Sequence, residues 1–247
     1  MQNDFPSSLA RVLVYEGGKV DDPRDPGGRT NKGVTQTTYN AWLAQQKRPA
    51  ADVYNIPEAD VQAIYKAEYW DRIGADSLPA GVDFCVYDAA VNSGPGRGAI
   101  WLQQALGEAY KGTPDGVMGP KTLQAITDFG DMTALVQAIC SHRLGTLEKL
   151  STWKTFGKGW AARIANVQKT ACAMVANAPV PNPVDVTSLS GHKKAPIIIP
   201  QSKTARVVAN TTAVATGVGT VASQAASQLT PIQQQFPNWH WLQVAIG

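Results

Sequence analysis

Glu16 closes an apolar helical stripe. It follows Leu9, Val12 and Leu13 at helical spacing, and Gly17-Gly18 comes immediately after it. A helix over residues 6–16 therefore turns this carboxylate toward the core side rather than toward solvent. Burial and the negative end of the helix dipole both oppose ionisation there. A carboxylic acid kept neutral near neutral pH is what general-acid cleavage of a glycoside requires. Such cleavage also needs a second carboxylate, to activate water or to face an oxocarbenium-like centre. Asp25 is the candidate, nine positions on in the loop Asp22-Pro-Arg-Asp-Pro-Gly-Gly28. The same residues suit an Asx-Pro turn; for Asp22 the turn reading is stronger, and for Asp25 the two weigh equally. Thr30 and Thr35 offer hydroxyls able to hold a water.

The elements that must position these groups are helical. Apolar residues recur at helical spacing through residues 1–178, and strand-length alternation is scarce. Beyond the first helix, the pattern predicts one after Thr35 through Tyr39, Trp42 and Leu43, and one after Asn55-Ile-Pro57 running through Val61, Ile64, Tyr65 and Tyr69. Five more fit Val82–Val91, Ala99–Leu106, Lys121–Phe129, Thr133–Leu150 and Gly159–Ala176. Turn signals at Asn92-Ser-Gly-Pro-Gly96, Asp115-Gly116 and Phe129-Gly-Asp131 separate them. Gly and Pro crowd the stretch from Gly17 to Val34, which is read as a shaped loop with a small hairpin. The class is mainly α. Aromatic residues such as Tyr69, Trp70, Tyr87 and Trp101 fit either core packing, the commoner role at helical spacing, or stacking on sugar faces.

Charge is unevenly distributed. Residues 1–178 hold 18 of the 22 Lys+Arg and 18 of the 19 Asp+Glu, so this part is formally neutral. A dedicated nucleic-acid binder would carry a basic stripe, and none is present. Cys85, Cys140 and Cys172 fit no metal or redox spacing and read as buried free thiols. His142 and His192 lack metal-like company, His142 fitting a helix surface, so neither a metal nor a cofactor is expected. Composition changes at Ala178: residues 179–204 are a Pro-punctuated linker, and residues 205–247 an Ala/Val/Thr-rich tail. The tail, with Trp239 and Trp241 near its end and four basic residues upstream, is read as low-complexity or as a weak membrane-surface segment. Leu242–Gly247 is too short to span a bilayer. The N-terminal Met-Gln-Asn-Asp-Phe-Pro lacks the basic and apolar regions of a secretory signal, so folding in a reducing cytosol is expected.

The motifs are similar to those of a known family. Glu16-Gly17-Gly18, Asp22, Asp25-Pro-Gly-Gly28, Thr30, Gly33-Val34-Thr35 and Tyr69-Trp70-Asp71 resemble the signature of glycoside hydrolase family 108, the lysozyme-like N-acetylmuramidases. The following helical peptidoglycan-binding module of that family is resembled by Asp88-Ala-Ala-Val-Asn-Ser-Gly94, Trp101-Leu-Gln103 and Asp115-Gly-Val-Met-Gly-Pro-Lys-Thr122. The likeness covers roughly residues 5–176, with ordered motifs in both halves. It implies hydrolysis of the β-1,4 bond between N-acetylmuramic acid and N-acetylglucosamine, with Glu16 as catalytic acid. Asp25 and Thr30 follow as its partners by analogy with phage-type lysozymes. Here four residues separate Asp25 from Thr30, one fewer than in those enzymes. Lys19 stands where the family more often has an aromatic. Thr35, Tyr69, Trp70 and Asn92 are the expected glycan contacts.

The expected organisation is a catalytic part at 1–94 packed with a peptidoglycan-binding part at 95–178, the two forming one monomeric body. The expected partner is the glycan strand, with no nucleic acid and with membrane contact through the tail. The expected role is that of a phage endolysin made in the bacterial cytoplasm and acting at the wall. The competing readings are a wall-remodelling muramidase of a secretion system, a binder without catalysis, and a membrane-active protein whose tail disrupts bilayers.

Overall fold

The computed structural model describes residues 4–21 and 28–180. Asp22 and Asp25, the linker beyond Val180 and the tail lie outside the described residues.

The first helix, α1 (Phe5–Glu16), carries Pro6 in its first turn, where the missing N–H costs nothing. Its buried residues Phe5, Leu9, Val12 and Glu16 recur every three or four positions, so the carboxylate is the last member of the apolar stripe. Gly17 ends the helix at φ 69°, a conformation that side-chain-bearing residues rarely adopt. The chain then returns as an antiparallel hairpin of β1 (Thr30–Asn31) and β2 (Val34–Thr35), with Thr30 opposite Thr35. Val20 bridges to Thr30 on the outer side. Asn31 pins the hairpin by donating to the carbonyls of Val53 and Tyr54 at 3.2 and 3.3 Å.

Helix α2 (Gln36–Gln45) starts on a side-chain cap: the Thr35 hydroxyl oxygen accepts from Thr38 N–H. Helix α3 (Glu58–Tyr65) does not continue as α-helix through Tyr69. It widens into a π-helical segment at Lys66–Trp70 and tightens into a 3₁₀ turn at Asp71–Ile73.

Helix α4 (Val82–Ser93) is buried on almost every side, which marks it as the central helix of the body. It packs against α1, α5 (Pro95–Ala105), α7 (Met132–Leu147) and α8 (Trp153–Val175). The turn expected over Asn92–Gly96 shrinks to Gly94, because Pro95 is suited to opening α5. At its other end Gly81 touches α8. A Cβ there would collide with the Ala171 carbonyl oxygen and lie 2.8 Å from the Val175 side chain, at φ +83°. Gly81→Ala is therefore expected to destabilise by roughly 3 kcal/mol or more, read by denaturant melts. A cost below about 1 kcal/mol would show that α8 slides freely.

Helix α6 (Pro120–Phe129) follows a loop organised by one buried side chain. Gln103 of α5 accepts from the N–H groups of Asp115 and Gly116, both at 2.9 Å. It donates to Asp115 Oδ1 at 2.8 Å and to the Val117 carbonyl at 3.1 Å. This accounts for the Trp-Leu-Gln and Asp-Gly motifs as two ends of one knot. Gln103→Ala strands two backbone donors, an expected loss of about 2–4 kcal/mol in equilibrium unfolding. Wild-type stability in that variant would mean the loop re-forms its bonds without Gln103.

Helix α8 begins six residues earlier than its periodicity suggested. Gly157 and Gly159 weaken the local helix signal, but Gly157 leaves room for the Trp153 indole, which would lie 2.5 Å from a Cβ at that position. The described residues thus form eight α-helices and one two-stranded sheet. No helix among them is long and apolar enough to cross a membrane.

Candidate active site

The end of α1 meets α4, α7 and α8 through four charged side chains. Glu16 is 4% exposed, and its Oε1 accepts from Arg163 Nη1 of α8 at 3.3 Å. Arg163 also donates from Nε to Asp88 Oδ1 at 2.9 Å, and its Nη2 lies 2.7 Å from the same oxygen. Asp88 is wholly buried in the middle of α4. Its Oδ2 takes a second cation, Arg143 Nη1 of α7, at 2.7 Å. Arg143 Nη2 in turn donates to Asn92 Oδ1 at 2.9 Å.

Charge balance explains why the cluster tolerates burial. Two guanidiniums face two carboxyl groups, and an isolated buried charge would be costly. Burial pushes the Asp88 pKa up, but Arg163 and Arg143 outweigh it and hold the group below the usual carboxylate range. Burial likewise opposes the charge on Arg163, and Asp88 and Glu16 reverse that, raising its pKa. The Tyr15 ring covers the Arg163 guanidinium at 4.7 Å.

Phenols surround the acid. Burial, and after it the negative charge of Glu16, raises the pKa of Tyr65 and of Tyr69. Tyr87 is raised by burial first, then by Tyr69 and Glu16. All three stay protonated at any physiological pH. Tyr65 donates to the Lys32 carbonyl at 3.0 Å, which fixes the hairpin tip relative to α3.

The structure brings Glu16 and Asn92 into one network and Tyr69 into the electrostatic reach of the acid, while Thr30, Thr35 and Trp70 are engaged in other contacts. Thr30 is half-buried on β1 and donates to the Gly28 carbonyl at 3.1 Å. The Thr35 hydroxyl oxygen is engaged as the α2 cap, so its local role is structural. Tyr69 is buried against Tyr65, with ring centroids 5.6 Å apart. Trp70 is 1% exposed, edge-on to Phe5 and Tyr87, and its indole N–H donates to Asp76 at 2.7 Å. An enclosed ring offers no face to a sugar, so Trp70 belongs to the core. Lys19 and Arg29 both lie over the Tyr54 ring, at 5.5 and 4.0 Å. His142 is exposed on α7. Among the described residues no group of three or more His, Cys, Asp or Glu is placed to hold a metal ion.

Asp88, Arg143 and Arg163 were missed as site residues. A signal existed: each is a lone charge within an apolar helical stretch, and such residues are rarely buried unless paired. Which charge pairs with which is not written in that pattern.

Comparison with known proteins divides the chain into two matched segments. Residues 9–94 match the family model described as glycosyl hydrolase 108, and residues 97–165 match one described as a predicted peptidoglycan domain. Glu16 falls in the first segment and Arg163 in the second. A solved structure described as SagA of Brucella abortus is similar at 37% sequence identity and a TM-score of 0.60, covering 71% of this chain and 97% of that one. No curated protein sequence matches significantly.

Proposed function

The chain belongs to the glycosyl hydrolase 108 family of N-acetylmuramidases and is a peptidoglycan hydrolase, and from this we propose that Glu16 is the acid that protonates the leaving glycosidic oxygen. One observation carries the assignment. Glu16 is a buried carboxyl at a helix end, held by an arginine from the peptidoglycan-domain half of the same body.

The geometry suits the task. Arg163 makes shorter contacts to Asp88 than to Glu16, 2.7–3.1 Å against 3.3 Å. Most of its charge is therefore offset by Asp88, and what remains faces Glu16. Arg163 favours the carboxylate form of Glu16, which is the form left once a proton has passed to the leaving oxygen. The protonated tyrosines line the site without adding negative charge to it. Asp25 is proposed as the second carboxylate, placing water or facing the oxocarbenium-like centre, with Thr30, five positions on in sequence, as the accompanying hydroxyl. The two segments 1–94 and 95–178 are proposed to act together on one glycan strand.

The test of bond choice is mass spectrometry of borohydride-reduced products from purified peptidoglycan. Reduced muramic acid ends are expected. Reduced glucosamine ends would make the enzyme a glucosaminidase and shift the register of the strand in the cleft. Asp25→Asn is expected to lower kcat at least tenfold, and an unchanged rate would return Asp25 to a turn role. The proposed setting is lysis of a bacterial cell by a phage endolysin acting as a monomer at the wall, with the tail touching membrane. Liposome binding by the full chain but not by residues 1–180 is the expected outcome for the tail.

A further inference from the structure

Two of the three cysteines meet in the core. Cys85 of α4 and Cys140 of α7 are each 1% exposed, and their Sγ atoms stand 3.6 Å apart across 55 residues of sequence. Nothing in their sequence spacing announces the pairing. Asp88 lies three residues after Cys85 and Arg143 three after Cys140, so the thiols sit one helical turn from the buried ion pair. Cys172, expected to be buried, is half-exposed on α8. A disulfide needs about 2.05 Å between sulfurs, so closure asks for roughly 1.5 Å of approach, within reach of small side-chain rotations. The hydrolase works on peptidoglycan, outside the reducing cytosol, where closely apposed thiols oxidise.

We propose that Cys85 and Cys140 are a disulfide-forming site, and that the bond staples α4 to α7 beside the Asp88–Arg143 pair once the enzyme is in an oxidising compartment. The oxidant is a small-molecule disulfide such as glutathione disulfide. Either thiol can donate to the other, so either can lose its proton and attack first. With Cys140 first, its sulfur attacks one sulfur of the oxidant, breaking that S–S bond and expelling one glutathione thiolate. The Cys85 thiolate then attacks Cys140 Sγ in the mixed disulfide and expels the second. Two cysteine thiols are oxidised, one glutathione disulfide is reduced to two thiols, and the two protons pass to the leaving thiolates.

The test uses the full chain in two arms, folded protein incubated with glutathione disulfide and protein refolded in a glutathione redox buffer. The second arm removes any barrier from burial. Alkylation, digestion and mass spectrometry should find Cys85 joined to Cys140 in at least the refolded arm, with the protein two hydrogens lighter. Its Tm should rise by about 5–15 °C, reversibly with dithiothreitol. Cys172→Ser should keep both effects, and Cys85→Ala should lose both. Recovery of Cys85 and Cys140 as alkylated thiols in both arms overturns the proposal. So does a bond made through Cys172, or a Cys85–Cys140 bond that leaves Tm unchanged.

Discussion

Glu16→Gln lowers kcat on purified peptidoglycan by about 10³-fold or more, with folding and pelleting on peptidoglycan retained. The amide keeps the shape of the acid and can still accept from Arg163, but it cannot deliver a proton to a departing sugar oxygen. The loss should fall on kcat, with KM little changed, since the missing interaction belongs to the transition state. Circular dichroism and a pelleting assay establish that the variant is intact. Its Tm should fall only modestly, because the amide oxygen still faces Arg163 and the shorter bonds from Arg163 to Asp88 are untouched. A kcat within about tenfold of wild type would remove Glu16 from the role of acid and leave it a structural partner of Arg163.

The second large effect is on stability. Arg163→Met leaves Asp88 with Arg143 alone and leaves Glu16 buried without its guanidinium. Removing one partner from a buried ionic cluster costs about 3–5 kcal/mol. For a body of this size that is a Tm lower by roughly 10 °C. Arg163→Lys should recover less than half of it, because a single ammonium cannot serve Asp88 in two places and reach Glu16 as well. Activity should fall in step with the changed setting of Glu16.

The pH dependence gives a second readout. The folded-state pKa of Asp88 is depressed, so its contribution is complete above the unfolded carboxylate value of about 4 and is lost as pH falls through the lower folded value. Wild type should therefore lose stability steeply below about pH 4, and Arg163→Met should begin lower and lose less over the same range. Equal Tm for wild type and variant at pH 7 would mean that Asp88 is held by Arg143 alone.

Local chemistry made much of this protein legible before any coordinates. The stripe Phe5, Leu9, Val12, Leu13, Glu16 and the double glycine after it place a carboxylate on the buried face of a helix end; the structure buries Phe5, Leu9, Val12 and Glu16 and leaves Leu13 half-buried. Helical periodicity located all eight helices of the described residues, because an apolar stripe recurring every three or four residues is a property of the chain alone. Element ends were less legible. Gly157 and Gly159 depress helix propensity, but the Trp153 ring lying over Gly157 compensates through packing that no local window contains. The widening after Tyr65 is likewise invisible to a 3.6-residue period.

The chemistry around Glu16 arose in the tertiary structure. Its cation comes from Arg163, 147 residues away, and that cation is held by Asp88 from a third helix. Sequence shows that Asp88, Arg143 and Arg163 interrupt apolar stretches, so each must be paired if buried. It does not show the pairing, because Coulomb energy depends on distance across the fold and not along the chain. The same reason separates the two readings of the aromatics. Trp70 and Tyr69 carry rings that suit a sugar face or a core equally well, and only their enclosure by Phe5, Tyr65 and Tyr87 decided for the core.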